Sequence, residues 1–235
     1  MLDLYQRRSS RRWQDRIYRA LEPPQPFVRN PREAFEAPLG RWNLYIGGAG
    51  AVVPGYVNID LFPQPGVDVV ADAETLPFPD NIFQRVECDA VLEHVRRPER
   101  VMREIQRTLQ PGGVAHVVVP FCHPFHAFPA DFRRFTIEGV EEMAGSLQVV
   151  AAGWRTGPTA TLLVFLLEYA KMWSSARLWR TGVHGILGWL FFPLRYLDHL
   201  LWKSPRAGRL GNHCYVWLQK PGPAAVTAPE PLSGN

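Results

Sequence analysis

The feature that most constrains the fold is a succession of short apolar segments between residues 43 and 121. Four of them precede an amphipathic helix over residues 98–109, which has Pro98 in its first turn and apolar side chains at helical spacing. A Pro-Gly-Gly sequence ends the helix, and residues 114–119 are a largely β-branched run, typical of a strand that is covered on both faces. This alternation predicts a mostly parallel, doubly wound α/β sheet. The four predicted strands before the helix are residues 43–46, 56–59, 67–71 and 83–88.

A glycine-rich loop follows the first predicted strand. Gly47, Gly48 and Gly50 would let the backbone approach a ligand without side-chain collision, although such loops as often only turn the chain. Asp60 lies only thirteen positions after Gly47, compared with about twenty in the dinucleotide fingerprint. We therefore expect the first crossover helix to be nearly absent. The short spacing also argues against a nicotinamide enzyme, because a pyrophosphate favours a helix amino terminus behind the loop.

Acidic residues end the next three strands. Asp60 stands where a doubly wound sheet holds a ribose diol, and its carboxylate could accept two charge-assisted hydrogen bonds. Asp72 and the backbone of Ala73 could bind the edge of an adenine ring, or they could form a surface turn. Asp89 follows the fourth strand at the same edge of the sheet. The pattern indicates a nucleoside site at the carboxyl edge.

A second polar cluster occupies residues 120–136, directly after the fifth predicted strand. Loops at this edge line the ligand crevice, so His123, His126, Asp131 and Arg134 are candidates for a substrate lid. The alternative for the aspartate and the arginine is a salt bridge that holds the loop. Imidazole and carboxylate are suitable metal donors, but the spacing resembles no closed site, so no metal is expected.

Taken in this order, the motifs resemble those of class I S-adenosylmethionine-dependent methyltransferases of the small-molecule type, including their Leu-Pro-Phe turn at residues 76–78. The resemblance covers residues 42–155, and the His-x-x-Pro-x-Asp-x-x-Arg-Phe-Thr stretch from His126 resembles a subset of this family. It implies S-adenosyl-L-methionine as cofactor, with these contacts: Gly47, Gly48 and Gly50 at the methionine part, Asp60 at the ribose, Asp72 and Ala73 at adenine, Asp89 near the amino-acid end. It also implies two further strands, the last antiparallel, for which residues 148–152 and 213–219 are candidates.

The resemblance implies methyl transfer to a small-molecule or lipid- or glycan-linked acceptor. A general base is needed only for a hydroxyl or a poorly acidic amine, and His94, His123 and His126 are the candidates. His94 follows the fourth strand and faces the crevice, and the alternative, which the sequence favours, is a helix-capping or packing histidine. Tyr45 departs from the family, which often has an acidic residue before the glycine loop. This departure keeps open an alternative, a non-catalytic cofactor-binding fold that serves as a membrane-surface or partner-binding subunit.

Residues 155–210 form a predicted helical insert between the last two strands. The insert carries eight basic residues against two acidic ones up to Arg209, and it holds four of the eight tryptophans. Its apolar runs are too short to span a bilayer, which needs about 20 residues. Such a composition is typical of interfacial helices on an anionic membrane surface, and equally of a helical cap or a dimer interface. Although the formal net charge is +4, no recognised nucleic-acid module appears, so nucleic acid is not expected as a partner.

The remaining segments flank this core. We expect a basic arm and Pro-rich linker over residues 1–41, a core over 42–154, the last strand within 211–220 and a disordered tail over 221–235. Three widely spaced cysteines in apolar runs favour buried free thiols in a reducing compartment. The expected location is therefore the cytoplasm, with peripheral association at the inner membrane surface if the insert is interfacial.

Overall fold

The computed structural model describes residues 23, 26–35, 39–48, 52–204 and 206–222. Contacts between residues divide the chain into two compact units. The larger unit comprises Pro31–Arg155 and the segment that begins at His213. The smaller unit comprises Thr156–Asn212 and the described residues up to Asn30. Gly50 and most of the predicted tail and arm lie outside the described residues.

The larger unit is built on a seven-stranded sheet of order β3-β2-β1-β4-β5-β7-β6. Strands β1 to β5 pair in parallel, and β7 runs antiparallel to both of its neighbours, β5 and β6. The predicted mostly parallel α/β sheet with an antiparallel last strand is confirmed. The strands are β1 Asn43–Ile46, β2 Val57–Asp60, β3 Val69–Val70, β4 Phe83–Asp89, β5 Leu109–Pro120, β6 Gln148–Trp154 and β7 His213–Gln219.

Two helices pack on one face of this sheet. Helix α1, Pro98–Thr108, begins at a proline in its first turn and buries Val101, Met102 and Ile105. Helix α2, Ile137–Met143, is capped by Thr136, whose hydroxyl accepts a 3.0 Å hydrogen bond from the Gly139 amide. Both helices bury their apolar faces in the same cluster as alternate residues of the sheet, so the hydrophobic core lies on this side.

The opposite face of the sheet is covered differently in the described part of the unit. There the 3₁₀ turn Pro31–Glu33 and Phe35 lie over β7, where the indole of Trp217 donates a 2.9 Å hydrogen bond to the Glu33 carbonyl. Between β1 and β2, residues 47–48 and 52–56 form no helix, as the short spacing predicted. These described residues therefore provide no helix that would cover the carboxyl end of β1.

Two strands differ in length from the sequence prediction. Strand β5 begins at Leu109 rather than at residue 114, because Gly112 and Gly113 exchange backbone hydrogen bonds of 2.9 Å with Lys220 and so extend the ladder. Strand β3 is shorter than predicted. The side chain of Asp68 accepts the Asn58 amide at 2.8 Å and replaces a backbone acceptor there.

The smaller unit is helical, as predicted for the insert. It contains α3 Pro158–Met172, α4 Arg177–Phe191 and α5 Asp198–Leu201, with 3₁₀ turns at Phe192–Leu197 and Ala207–Leu210. Asp198 is fully buried and accepts hydrogen bonds from the amides of Thr159 and Ala160, which satisfies the first turn of α3. None of the described helices is long and apolar enough to cross a membrane.

Candidate functional site

A cavity of about 450 Å³ opens at the carboxyl edge of the sheet in the larger unit. A volume of this order is typical of small-molecule sites. Most of its walls come from residues that end or follow β1, β2, β3 and β4, which parallel pairing brings to one edge, and Phe128 and Pro129 from the loop after β5 complete the cavity. Five of the predicted cofactor residues line it: Gly47, Asp60, Asp72, Ala73 and Asp89. His94 lines it too.

Gly47 lets the chain turn closely under this cavity. Its φ of +73° is in the left-handed region that favours glycine, and its amide donates a 2.9 Å hydrogen bond to the Ile59 carbonyl. An added Cβ would collide with the side chain of Val91. Any larger residue would therefore strain the backbone and push Val91, another wall residue, out of place.

The carboxylates of Asp60 and Asp72 are each held by the short backbone turn that follows them. An oxygen of Asp60 accepts the Phe62 amide at 3.0 Å, and an oxygen of Asp72 accepts the Glu74 amide at 2.8 Å. Such a bond to a backbone amide two residues later fixes a side chain on a loop. Both acidic groups are thus held at the cavity wall before any ligand binds.

Asp89 is engaged by an arginine that sequence analysis did not assign to the site. Arg155, which directly follows β6, places Nη1 2.6 Å from an oxygen of Asp89 and Nε 3.2 Å from an oxygen of Glu33. Burial alone would lower the pKa of Arg155, but attraction to Asp89 and Glu33 outweighs it and raises that pKa. Arg155 is only 7% exposed, so the composition argument was wrong to count it among the insert's surface cations.

The predicted candidate bases come together in one cluster of rings. The ring centres of His94 and His126 are 5.0 Å apart, and those of His123 and His126 are 4.5 Å apart. His213, from the first position of β7, adds a ring 5.0 Å from His123 and was missed because its partners lie far away in sequence. Burial, with the charges of nearby groups, lowers the pKa of His213 to about 3. His213 is therefore neutral at ordinary pH.

Asp131 and Arg134 form the internal salt bridge that was the alternative to a substrate role. Two guanidinium nitrogens lie 2.5 and 2.8 Å from the two carboxylate oxygens. Arg134 also donates to the carbonyls of His123 and Pro124, and the amide of His126 donates to Asp131. The hydrogen bonds from Arg134 hold the pKa of Asp131 well below its usual range. Neither side chain lines the cavity, so the pair fixes the shape of the loop.

Part of the chain is similar to known methyltransferases. Residues 57–117 match a family model described as a methyltransferase domain. Demethylmenaquinone methyltransferase of Renibacterium salmoninarum is 31% identical over 120 residues, which cover 51% of this chain and 47% of the relative. The ubiquinone/menaquinone biosynthesis C-methyltransferase UbiE of Hahella chejuensis is 49% identical over 112 residues, covering 44% of this chain and 45% of that protein. The chain thus spans about half the length of these curated relatives.

Solved structures agree in fold. The [4+2]-cyclase SpnF is 17% identical with a TM-score of 0.52, over 89% of this chain and 81% of that protein. A putative sarcosine dimethylglycine methyltransferase from Galdieria sulphuraria is 13% identical with a TM-score of 0.50, over 88% and 83%. At these identities the likeness is one of architecture, and the chemistry must be argued from the site.

Proposed function

We propose that this chain, whose residues 57–117 match a methyltransferase domain, is a class I methyltransferase that transfers a methyl group from S-adenosyl-L-methionine to a small-molecule acceptor. The observation that carries the proposal is the position of Asp60, a fixed carboxylate on the wall of a cavity at the carboxyl edge of the sheet. A ligand with a ribose diol fits this arrangement, because one carboxylate can accept hydrogen bonds from both hydroxyls.

The residues around Asp60 fit the rest of the cofactor. Asp72 and Ala73 would take the adenine edge, and the tight turn at Gly47 leaves room for the methionine part. The bound cofactor supplies an electrophilic methyl group on sulfur. The protein then has to hold the acceptor atom in line with that methyl, and such positioning accounts for most of the rate in a displacement of this kind.

The acceptor side of the cavity favours an apolar, aromatic molecule. Phe128 and Pro129 line it, and the ring of Phe62 contacts Phe128 at 6.4 Å between centres. The curated relatives are named as a methyltransferase of demethylmenaquinone and a C-methyltransferase of ubiquinone/menaquinone biosynthesis. We propose an aromatic acceptor with an apolar substituent, which includes a lipid-linked one.

Calorimetric titration of the full chain with S-adenosyl-L-methionine tests the proposal, together with release of S-adenosylhomocysteine in the presence of substituted phenols and hydroquinones. We expect saturable binding at one site per chain and acceptor-dependent release. Absence of binding would refute the cofactor assignment. Binding without release from any acceptor would instead favour the alternative of a non-catalytic, cofactor-binding subunit, because a fold by itself does not imply a reaction.

A second proposal concerns the smaller unit, whose helices α3 and α4 expose large apolar side chains. At least six are more than 60% exposed: Leu162, Met172, Trp173, Leu178, Ile186 and Leu190. Because α3 and α4 pack against each other, we infer that these side chains share one exposed apolar surface, which is typical of an interaction site. With basic residues such as Arg180 on the same helix, this composition favours an anionic membrane surface, where an apolar face enters the boundary of the bilayer.

We therefore expect the chain to float with vesicles that contain phosphatidylglycerol and to float less with neutral phosphatidylcholine vesicles. The double substitution Leu178→Asp and Ile186→Asp should abolish flotation, whereas Glu141→Gln on the exposed side of α2 should not change it. If the parent does not float and sediments as a dimer that this substitution dissociates, the surface is a subunit interface and the membrane proposal is wrong.

A further inference from the structure

We propose that Glu93, His94 and His126 bind a divalent transition-metal ion next to the cavity. One donor atom from each of the three residues lies within 4.8 Å of the others. Sequence analysis expected no metal, because the spacing of His123, His126 and Asp131 resembles no closed site. The structure supports a different set, which replaces two of those residues by the adjacent pair at the end of the 3₁₀ turn Leu92–His94.

The strongest evidence is the state of Glu93. Its side chain is 0% exposed, and neither carboxylate oxygen has a hydrogen-bond partner among the described residues. Burial of a carboxylate without compensation costs several kcal/mol in proteins, so such groups are found paired or bound to a metal. The nearest described groups that can carry the opposite charge are the imidazoles of His126 and His94, at 3.5 and 3.7 Å from one oxygen, and an ion between them and Glu93 would supply closer compensation.

The distances around Glu93 suit metal ligands better than hydrogen bonds. Nε2 of His126 lies 3.5 Å and Nε2 of His94 lies 3.7 Å from the same oxygen of Glu93. A hydrogen bond to nitrogen would be about 2.7–3.2 Å long. Two donors that each lie about 2.1 Å from one ion are about 3.0–3.5 Å apart. Glu93 already lies within a few tenths of an ångström of this range from each imidazole, and the two imidazole nitrogens, which lie within 4.8 Å of each other, would have to move closer around the ion.

Both imidazoles are already oriented for this role. Nδ1 of His94 donates to the Ala130 carbonyl at 2.5 Å. Nδ1 of His126 lies 3.2 Å from the Pro124 carbonyl and 3.4 Å from an oxygen of Asp131. Each ring thus uses Nδ1 to contact the protein and turns Nε2 towards Glu93. Metal-binding histidines show the same division, because the acceptor that binds the other ring nitrogen fixes the tautomer and the ring orientation.

The salt bridge of Asp131 and Arg134 supports this arrangement of metal ligands. Arg134 holds Asp131 against the backbone and ring of His126, and the amide of Phe132 donates a 2.8 Å hydrogen bond to the Glu93 carbonyl. The loop is thereby fixed to the turn that carries the other two ligands. Asp131 and Arg134 act as positioning residues for the metal.

The donor set also indicates the kind of ion. Two imidazoles and one carboxylate suit zinc, iron, cobalt or manganese better than magnesium, which prefers oxygen ligands. Three protein ligands leave coordination positions open. His94 lines the cavity, so an open position would face the acceptor, where a metal lowers the pKa of a bound hydroxyl. This last step alone rests on the proposed function.

Binding is tested on the full chain after removal of metals with a chelator. Calorimetric titration with Zn²⁺, Mn²⁺, Co²⁺ and Mg²⁺ should give one transition-metal ion per chain, and Co²⁺ should produce a visible absorption spectrum of a low-coordinate nitrogen and oxygen site. Glu93→Gln and His126→Asn should each weaken Zn²⁺ binding about 100-fold. His199→Asn, a histidine substitution in the smaller unit, should leave it unchanged.

The rise in Tm on addition of metal is a second measure of binding, and it remains informative if a variant is less stable than the parent. A ligand at 100 times its Kd raises Tm by about 5–10 °C in a chain of this size. We expect that rise for the parent and not for Glu93→Gln, whose metal-free form should be at least as stable as the parent because a buried charge is removed. A parent with no Tm response and no Co²⁺ spectrum overturns the proposal. Intact binding of S-adenosyl-L-methionine by the same metal-free protein would then leave the methyltransferase function standing.

Discussion

The substitution Asp60→Ala is expected to weaken binding of S-adenosyl-L-methionine by about 100-fold or more. A hydrogen bond to a charged acceptor contributes about 1.5–3 kcal/mol, and the ribose diol would form two of them with this carboxylate. Since about 1.4 kcal/mol corresponds to a factor of ten in Kd, their joint loss reaches at least this size. Calorimetry of parent and variant under the same conditions measures the effect.

The substitution Asp60→Asn tests the contribution of the carboxylate charge to binding while it preserves the turn that holds the side chain. The amide oxygen of asparagine can still accept the Phe62 amide and one ribose hydroxyl, so we expect a loss of about tenfold. Glu141→Gln removes one negative charge from an exposed position of α2 and should bind like the parent. An Asp60→Ala protein that binds within threefold of the parent would show that the nucleoside lies elsewhere.

Local patterns predicted the parts of the fold that depend on neighbours in sequence. The spacing of Val101, Met102 and Ile105, with Pro98 in the first turn, predicted α1. Parallel pairing follows from the alternation of elements, and it places the strand ends at one edge. For this reason Asp60 and Asp89, which are 29 positions apart, were both expected at the cavity that they line.

Contacts between segments that are far apart in sequence could not be predicted from local patterns of residue types. Arg155 meets Asp89 across 66 positions and Glu33 lies further still, so composition placed the arginine on a basic surface. Glu93 appeared in sequence only as the neighbour of His94. Its isolation from hydrogen-bond donors depends on how residues 120–136 fold back over the 3₁₀ turn, which the pattern of residue types does not specify.

The substitution Arg155→Met is expected to lower the free energy of unfolding by about 3–5 kcal/mol. Methionine keeps much of the apolar volume of the arginine stem, so the loss of stability measures the removal of the positive charge rather than a loss of packing. In the variant, Asp89 would lose the Arg155 cation and Glu33 would keep only the imidazole of His116, at 3.3 Å, and the loss of a partner from a buried ion pair costs free energy on this scale. In a chain of this size we expect Tm to fall by about 6–20 °C, measured by circular dichroism.

Two comparisons identify the cause of that fall. Arg97→Met breaks an ion pair with Glu74 in which the arginine side chain is 57% exposed, and exposed pairs contribute about 1 kcal/mol or less. Adding Asp89→Asn to Arg155→Met should recover part of the lost stability, because one of the two stranded carboxylates becomes neutral. If the double variant is less stable than Arg155→Met by the full cost of Asp89→Asn alone, the arginine and the aspartate are not coupled. Asp89 would then be a free wall carboxylate of the cavity rather than one held by Arg155.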